Sequence, residues 1–335
     1  MRYRRLGRTG LRVSELAAGT MAFGGEADEA TSRALFNRCR DAGINFFDCA
    51  NMYGRGRAET ILGRLVADCR DQVIIATKAY FAMGDGPNDR GSNRYHLTNA
   101  VDASLRRLGT DRIDVFFLHR YDDDTDLEDT LRTLDDLVRA GKILYPAVSN
   151  FSAWQAEKAL GIAQCRGFAP VTCTQPMYNL VKRTAEVEIL PQAAASGLGV
   201  FPYSPLGGGL LTGKYGSSRR PAKGRLVDYE RYKIRYGNPS VYEVAEAFCG
   251  IADEMGVHPV SLAIAWVGNH PAVTAPLIGA RNLEQLEPAL AAVDIDMTPQ
   301  LRARISALGP QPPSPTDRND EAFDLDDFGK KRRNK

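Results

Sequence analysis

No stretch of the chain reaches the roughly 18 consecutive apolar residues needed to cross a bilayer, and the opening MRYRRLGRTG has no apolar core of the kind that directs export. A membrane partner is therefore not expected, and a cytoplasmic location is. Charge of one sign is also missing. Lys and Arg number 43 against 41 Asp and Glu, a net +2, so no global field recruits nucleic acid or an anionic surface. The basic run KKRRNK at the end follows the acidic EAFDLDD and reads as a solvated tail. The six cysteines form no C-x-x-C and have no histidine at ligand spacing, so neither a metal site nor a disulfide framework is expected. They read as small apolar residues in a reducing compartment. G-x-G-x-x-G is absent too, which removes support for dinucleotide binding of the Rossmann kind.

What the sequence has in quantity is short apolar runs alternating with helical patterns. SELAAGT, INFFDCA, VIIATK, IDVFFLH, ILYPAVSN, PVTCTQP, GVFPYSP and VTAPLIG are near-continuously apolar, as strands buried on both faces are. Between them lie stretches such as DLEDTLRTLDDLVRAGK, where Leu127, Leu131, Leu134, Leu137 and Val138 form one stripe and Gly141 marks the stop. Eight strand–helix units without a break in composition predict one (β/α)8 barrel over residues 1–309, with a doubly wound α/β fold as the alternative. MRYRRLG and GLRVSE, joined at Arg8-Thr9, predict a hairpin at the barrel's bottom, and TPQLRARISALG predicts an added terminal helix. Residues 310–335, opening with the proline-rich QPPSPTDRND, form a polar tail.

In such barrels reactive groups sit where strands end and helices begin. Asp48 ends the second strand, Lys78 the third and His119 the fourth, with Tyr53 on the loop after the second. Each has an ordinary explanation alone: a helix cap, a surface lysine, a satisfied core histidine, a packing tyrosine. As a set in register they form a coherent acid–base group. A phenol with a pKa near ~10 is a poor acid or base at neutral pH. A lysine ammonium beside it is expected to lower that value by ~2–3 units, and a carboxylate would keep the lysine charged. Such a tyrosine can protonate a carbonyl oxygen as hydride reaches carbon, with a neutral His119 orienting the oxygen.

The segments AAGTMAFGG, NFFDCANMYG, IATK, DVFFLH, VSNF, TQPMYN and PYSPLGGGLLTGKY, in this order, resemble the aldo-keto reductase family over about residues 3–309. The resemblance implies a barrel that binds NADPH and reduces an aldehyde or ketone, with a tetrad of Asp48, Tyr53, Lys78 and His119. It further implies that Ser149, Asn150 and Gln175 hold the nicotinamide carboxamide and that Tyr203 stacks on its ring. Ser204, Pro205, Leu206 and Gly208 would line the pyrophosphate, with Lys214 beyond. Thr20, Met21 and Asp48 would flank the nicotinamide end. Gly279, Arg281 and Gln285, after the last strand, would serve the adenosine end, Arg281 taking the 2′-phosphate and Arg225 standing as a second candidate. GGLLTGK imitates the start of a phosphate-binding P-loop, but Tyr215 follows where a magnesium-binding Ser or Thr is needed.

Two features depart from the family pattern. Pro288 and Ala289 replace the Glu-Asn pair that contacts adenine, and Pro146 interrupts the fifth strand, where a local bulge is expected. Two rival functions accompany the reductase. Potassium-channel β subunits resemble the chain as cofactor-binding regulatory partners, although they have asparagine in place of His119. A barrel lyase would instead use Lys78 as a Schiff base. The loops around HRYDDDTDL and residues 207–240, rich in Asp, Arg and Tyr, suggest a polar, sugar-like carbonyl substrate.

Overall fold

The computed structural model describes residues 1–316; KKRRNK, EAFDLDD and the rest of 317–335 lie outside the described residues. Tyr3–Arg5 (β1) and Arg12–Ser14 (β2) pair antiparallel as the expected hairpin. Eight parallel strands follow: Ala17–Gly19 (β3), Phe46–Asp48 (β4), Ile74–Ala79 (β5), Ile113–Leu118 (β6), Ile143–Ser149 (β7), Cys173–Gln175 (β8), Gly199–Val200 (β9) and Leu277–Ile278 (β10). They are ordered β10-β3-β4-β5-β6-β7-β8-β9. Ala275 N and Leu277 N donate to Val200 O and Pro202 O, which closes the ring. The architecture is a (β/α)8 barrel.

Alternation along the strands sorts the core into two layers. Phe46, Ala76, Val115, Phe117, Ala147, Cys173 and Phe201 pack together inside the barrel, where Leu6 and Val13 of the hairpin join them as a plug at the strands' N-terminal ends. Phe47, Ile75, Phe116 and Val148 point the other way, into the layer beneath the helices. Leu127–Arg139 is typical of that layer. Asp126 caps it by accepting from Glu128 N, and Leu127, Leu131, Leu134 and Leu137 are buried. Thr298 likewise caps the terminal helix Pro299–Ser306.

Three expectations change. The runs PVTCTQP, GVFPYSP and VTAPLIG supply only two or three strand residues each, because the prolines at 170, 176, 202, 205 and 276 cannot donate to a ladder. The 207–240 segment is not an irregular loop: it contains a 3₁₀ turn at Gly207–Thr212 and short helices at Arg225–Asp228 and Glu230–Tyr236. No bulge forms at Pro146. The register runs unbroken from Val115↔Tyr145 through Phe116↔Pro146 to Phe117↔Ala147. Pro146 O accepts from Thr172 N, so this residue faces β8, which begins only at Cys173. Its missing N–H therefore costs the sheet no partner.

Candidate active site

The period of two that fills the barrel also aims the polar groups above it. Asp48 lies two residues beyond Phe46, Lys78 beyond Ala76, and His119 beyond Phe117. Ser149 lies two beyond Ala147, Gln175 beyond Cys173, and Tyr203 beyond Phe201. Each thus continues an inward-facing row past the last apolar layer, at the C-terminal mouth.

Lys78 and Asp48 are the centre. Lys78 Nζ donates to Asp48 Oδ2 at 2.5 Å and to Cys49 O at 2.6 Å, and Gln175 Nε2 donates to Asp48 Oδ1 at 2.9 Å. Both carboxylate oxygens are therefore satisfied, as a buried charge requires. The ammonium stands 5.2 Å from the centroid of the Tyr53 ring, and the His119 ring lies 6.2 Å from the same ring at 80°. The four sequence-predicted residues converge.

Their electrostatics differ from expectation in one respect. Tyr53 is not lowered: burial first, then the Asp48 charge, raises its phenol well above the ordinary value. Spacing along the chain shows that Lys78 is near but not how far the half-buried ring is desolvated, and desolvation dominates. The phenol is held protonated. His119 is pushed down to about 3, by burial and then by the Lys78 charge, and so is held neutral.

The loop bearing Tyr53 is fastened by a residue that the sequence reading missed. Glu59, fully buried in the helix Arg57–Val66, accepts from Thr77 Oγ1 at 2.5 Å and pairs with Arg107 Nε at 2.6 Å. It ties the segment after Tyr53 to β5, one residue before Lys78. Asn51, buried on the loop from Asp48 to Tyr53, was also missed. Both of its side-chain polar atoms, like His119 Nδ1, lack a partner among the described residues.

The remaining candidates form one trail along the mouth. Ser149 Oγ donates to Gln175 O at 2.9 Å, Asn150 Nδ2 to His119 O at 2.9 Å, and Tyr203 OH to Asn150 Oδ1 at 2.7 Å. Asn150 and Ser204 take positive φ, 58° and 57°, a strained choice for residues with side chains. Asn179, within the motif TQPMYN but given no role there, holds Ser204 by donating to its carbonyl at 2.9 Å. Pro205 is buried and Leu206 half-buried before Gly207, Gly208 and Gly209, whose φ values are 58°, 69° and 101°. A Cβ on Gly209 would lie 3.3 Å from Lys214 Nζ. On the other side of the mouth, Thr20 N and Oγ1 donate to Asp48 O at 2.9 and 3.0 Å, and Met21 is 43% exposed at the rim. Gly279 faces Gly19 O, and Arg281 N donates to Gln285 Oε1 at 3.3 Å. Ala289 turns into the core, and Pro288 O is taken by Ser261 Oγ, so neither offers a polar group to a base.

This trail fits a nicotinamide dinucleotide. An aromatic ring and amide groups adjoin the tyrosine, a left-handed glycine run exposes backbone beyond them, and Lys214, Arg225 and Arg281 gather at the far end.

The profile of the Aldo/keto reductase family matches residues 15–309. The chain belongs to this family. It is 38% identical over 327 residues to the "Uncharacterized oxidoreductase YrpG" of Bacillus subtilis, covering 93% of this chain and 97% of that protein. It is 37% identical over 327 residues to a "Probable voltage-gated potassium channel subunit beta" of Oryza sativa, covering 95% and 99%. It is also 31% identical over 329 residues to the "Versiconal hemiacetal acetate reductase" of Aspergillus parasiticus, covering 90% and 94%. Family and relatives together support an oxidoreductase acting on carbonyl compounds, in a family that works with nicotinamide cofactors. Among the described residues no helix is long and apolar enough to cross a membrane.

Proposed function

We propose that the protein is an NADPH-dependent reductase of a small aldehyde or ketone, working in the cytoplasm without a nucleic-acid or membrane partner. The reading rests on the buried Lys78–Asp48 pair with the Tyr53 ring 5.2 Å from Lys78 Nζ. Bound cofactor supplies the hydride. Tyr53, held protonated by its burial, gives its hydroxyl proton to the carbonyl oxygen as that oxygen gains charge. Lys78, paired with Asp48, stabilises the phenolate left behind through the charge of its ammonium. Neutral His119 orients the oxygen before transfer, and Tyr203 presents an aromatic face to the cofactor ring. Ser149, Asn150 and Gln175 hold the carboxamide, and the Ser204–Gly208 backbone with Lys214 holds the pyrophosphate. Gly279, Arg281 and Gln285 receive the adenosine end, with Arg281 taking the 2′-phosphate.

The geometry weighs against a Schiff-base lyase, because Lys78 Nζ already donates to a carboxylate and a carbonyl, whereas attack on a carbonyl needs a free amine. It favours catalysis over a purely regulatory role because neutral His119 lies beside Tyr53. A polar, sugar-like carbonyl remains the proposed substrate class. Purified protein should consume NADPH, followed by its absorbance, with some members of a panel of sugar, aliphatic and aromatic carbonyl compounds. Binding of NADPH without consumption by any of them would contradict the reading.

A further inference from the structure

Glu26 lies in the loop between β3 and the helix Glu29–Asp41, directly after the motif AAGTMAFGG. Its two carboxylate oxygens engage two different arginines. Oε2 accepts from Arg225 Nη2 at 3.2 Å, and Oε1 lies 3.1 Å from Arg281 Nε. Arg225 opens the first short helix of the 207–240 segment and Arg281 follows β10, so one carboxylate joins three separate segments of the chain. Lys214 stands in the same field: burial first, and then the charges of Arg281 and Arg225, lower its ammonium below the ordinary range, with Glu26 opposing. Two guanidinium groups thus contact a single carboxylate, and Lys214 feels all three charges. None of the paired side chains is enclosed: Glu26 is 30% exposed, Arg225 26% and Arg281 36%.

Two guanidinium groups converging on a pair of acceptor oxygens is the arrangement by which arginines bind phosphate. A carboxylate there is the protein's own anion in a place suited to an external one. We propose that Glu26 is a specificity-determining residue for the cofactor: it occupies the Arg225–Arg281 pair as an internal competitor that a 2′-phosphate must displace. The inference rests on the proposed reading that Arg281 serves that phosphate. Displacement exchanges one anion for another across the same guanidinium groups, and the displaced carboxylate then stays close enough to repel the newcomer. Both effects weaken a ligand carrying the 2′-phosphate and leave one without it unchanged. Glu26 therefore narrows the preference for NADPH over NADH that the two arginines alone would impose.

Calorimetric titration with 2′,5′-ADP and with 5′-AMP tests this without turnover. Wild-type protein should bind 2′,5′-ADP more tightly than 5′-AMP, and Arg281→Ala should abolish most of that difference. Glu26→Gln, which keeps the shape and removes the charge, should tighten 2′,5′-ADP by roughly 2- to 30-fold, the range for releasing the two partly exposed ion pairs of one competitor, and leave 5′-AMP unchanged. Equal binding of both ligands by wild-type protein, unaltered in Arg281→Ala, would overturn the phosphate reading itself. A wild-type preference that Arg281→Ala removes, but that Glu26→Gln leaves unaltered or weakens, would overturn the role of Glu26 alone.

Discussion

Lys78 Nζ sits 2.5 Å from Asp48 Oδ2 at the mouth of the barrel, with side-chain exposures of 0% and 3%. The two strands that carry them are adjacent, and the half-buried Tyr53 ring stands 5.2 Å from Lys78 Nζ. A buried pair of this kind contributes little net stability as long as it is intact, but breaking it leaves one charge stranded.

That asymmetry can be measured. Asp48→Asn and Lys78→Met should each lower unfolding free energy by ~3–5 kcal/mol, because each leaves the other charge buried without its partner. The double variant should be less destabilised than the sum of the two, while turnover stays lost in all three. Chemical denaturation of the four proteins checks this. Additive losses would mean that the charges do not couple.

A second expectation concerns pH. His119 is held neutral down to about 3 by burial and by Lys78. Between that value and the unfolded value near ~6.5, the unfolded chain binds a proton that the native histidine excludes. Stability therefore falls as pH falls through this window, by up to ~1.4 kcal/mol per pH unit for a single group. Burial depresses His96 and His270 as well, so denaturation sums several groups and the rate profile is the cleaner readout. kcat/KM should show no His119 limb between about pH 5 and 8. An acid limb near the ordinary histidine value that disappears in His119→Gln would contradict the assignment.

The hairpin plug gives a third. Gly7 has φ +50°, and a Cβ there would lie 2.7, 2.8 and 2.9 Å from Gly197 O, Gly199 N and Thr172 O, all backbone atoms that cannot swing aside. Gly7→Ala should cost ~2–4 kcal/mol, from left-handed strain and overpacking together. Since Gly7 is at the barrel's bottom, kcat measured well below the new Tm should be unaltered. An unchanged Tm would show that the plug can move.

Much of this site was legible in the sequence because strands impose a period of two. Once FFD, IIATK and VFFLH are read as strands, Asp48, Lys78 and His119 are bound to share the face of Phe46, Ala76 and Phe117. Desolvation was not legible. The upward shift of Tyr53 comes from the volume around the ring, to which distant segments contribute, and no local pattern records it. Glu26 was missed for a similar reason. It reads as a loop carboxylate, and its partners Arg225 and Arg281 are brought to it only by closure of the ring, Arg225 from 199 residues further along the chain. Pro146 misled because the cost of a missing donor depends on where the neighbouring strand begins, which only the register shows.

The proposed chemistry depends most directly on the Tyr53 hydroxyl. Tyr53→Phe keeps the ring beside Lys78 and His119 and removes the proton. Measured together, the Kd for NADPH from fluorescence titration and kcat with a carbonyl substrate separate binding from proton donation. The Kd should stay within a few-fold of wild type, while kcat falls by ~10²-fold or more. Tyr53→Phe protein that binds NADPH normally and keeps most of the wild-type kcat would contradict the role of Tyr53 as proton donor.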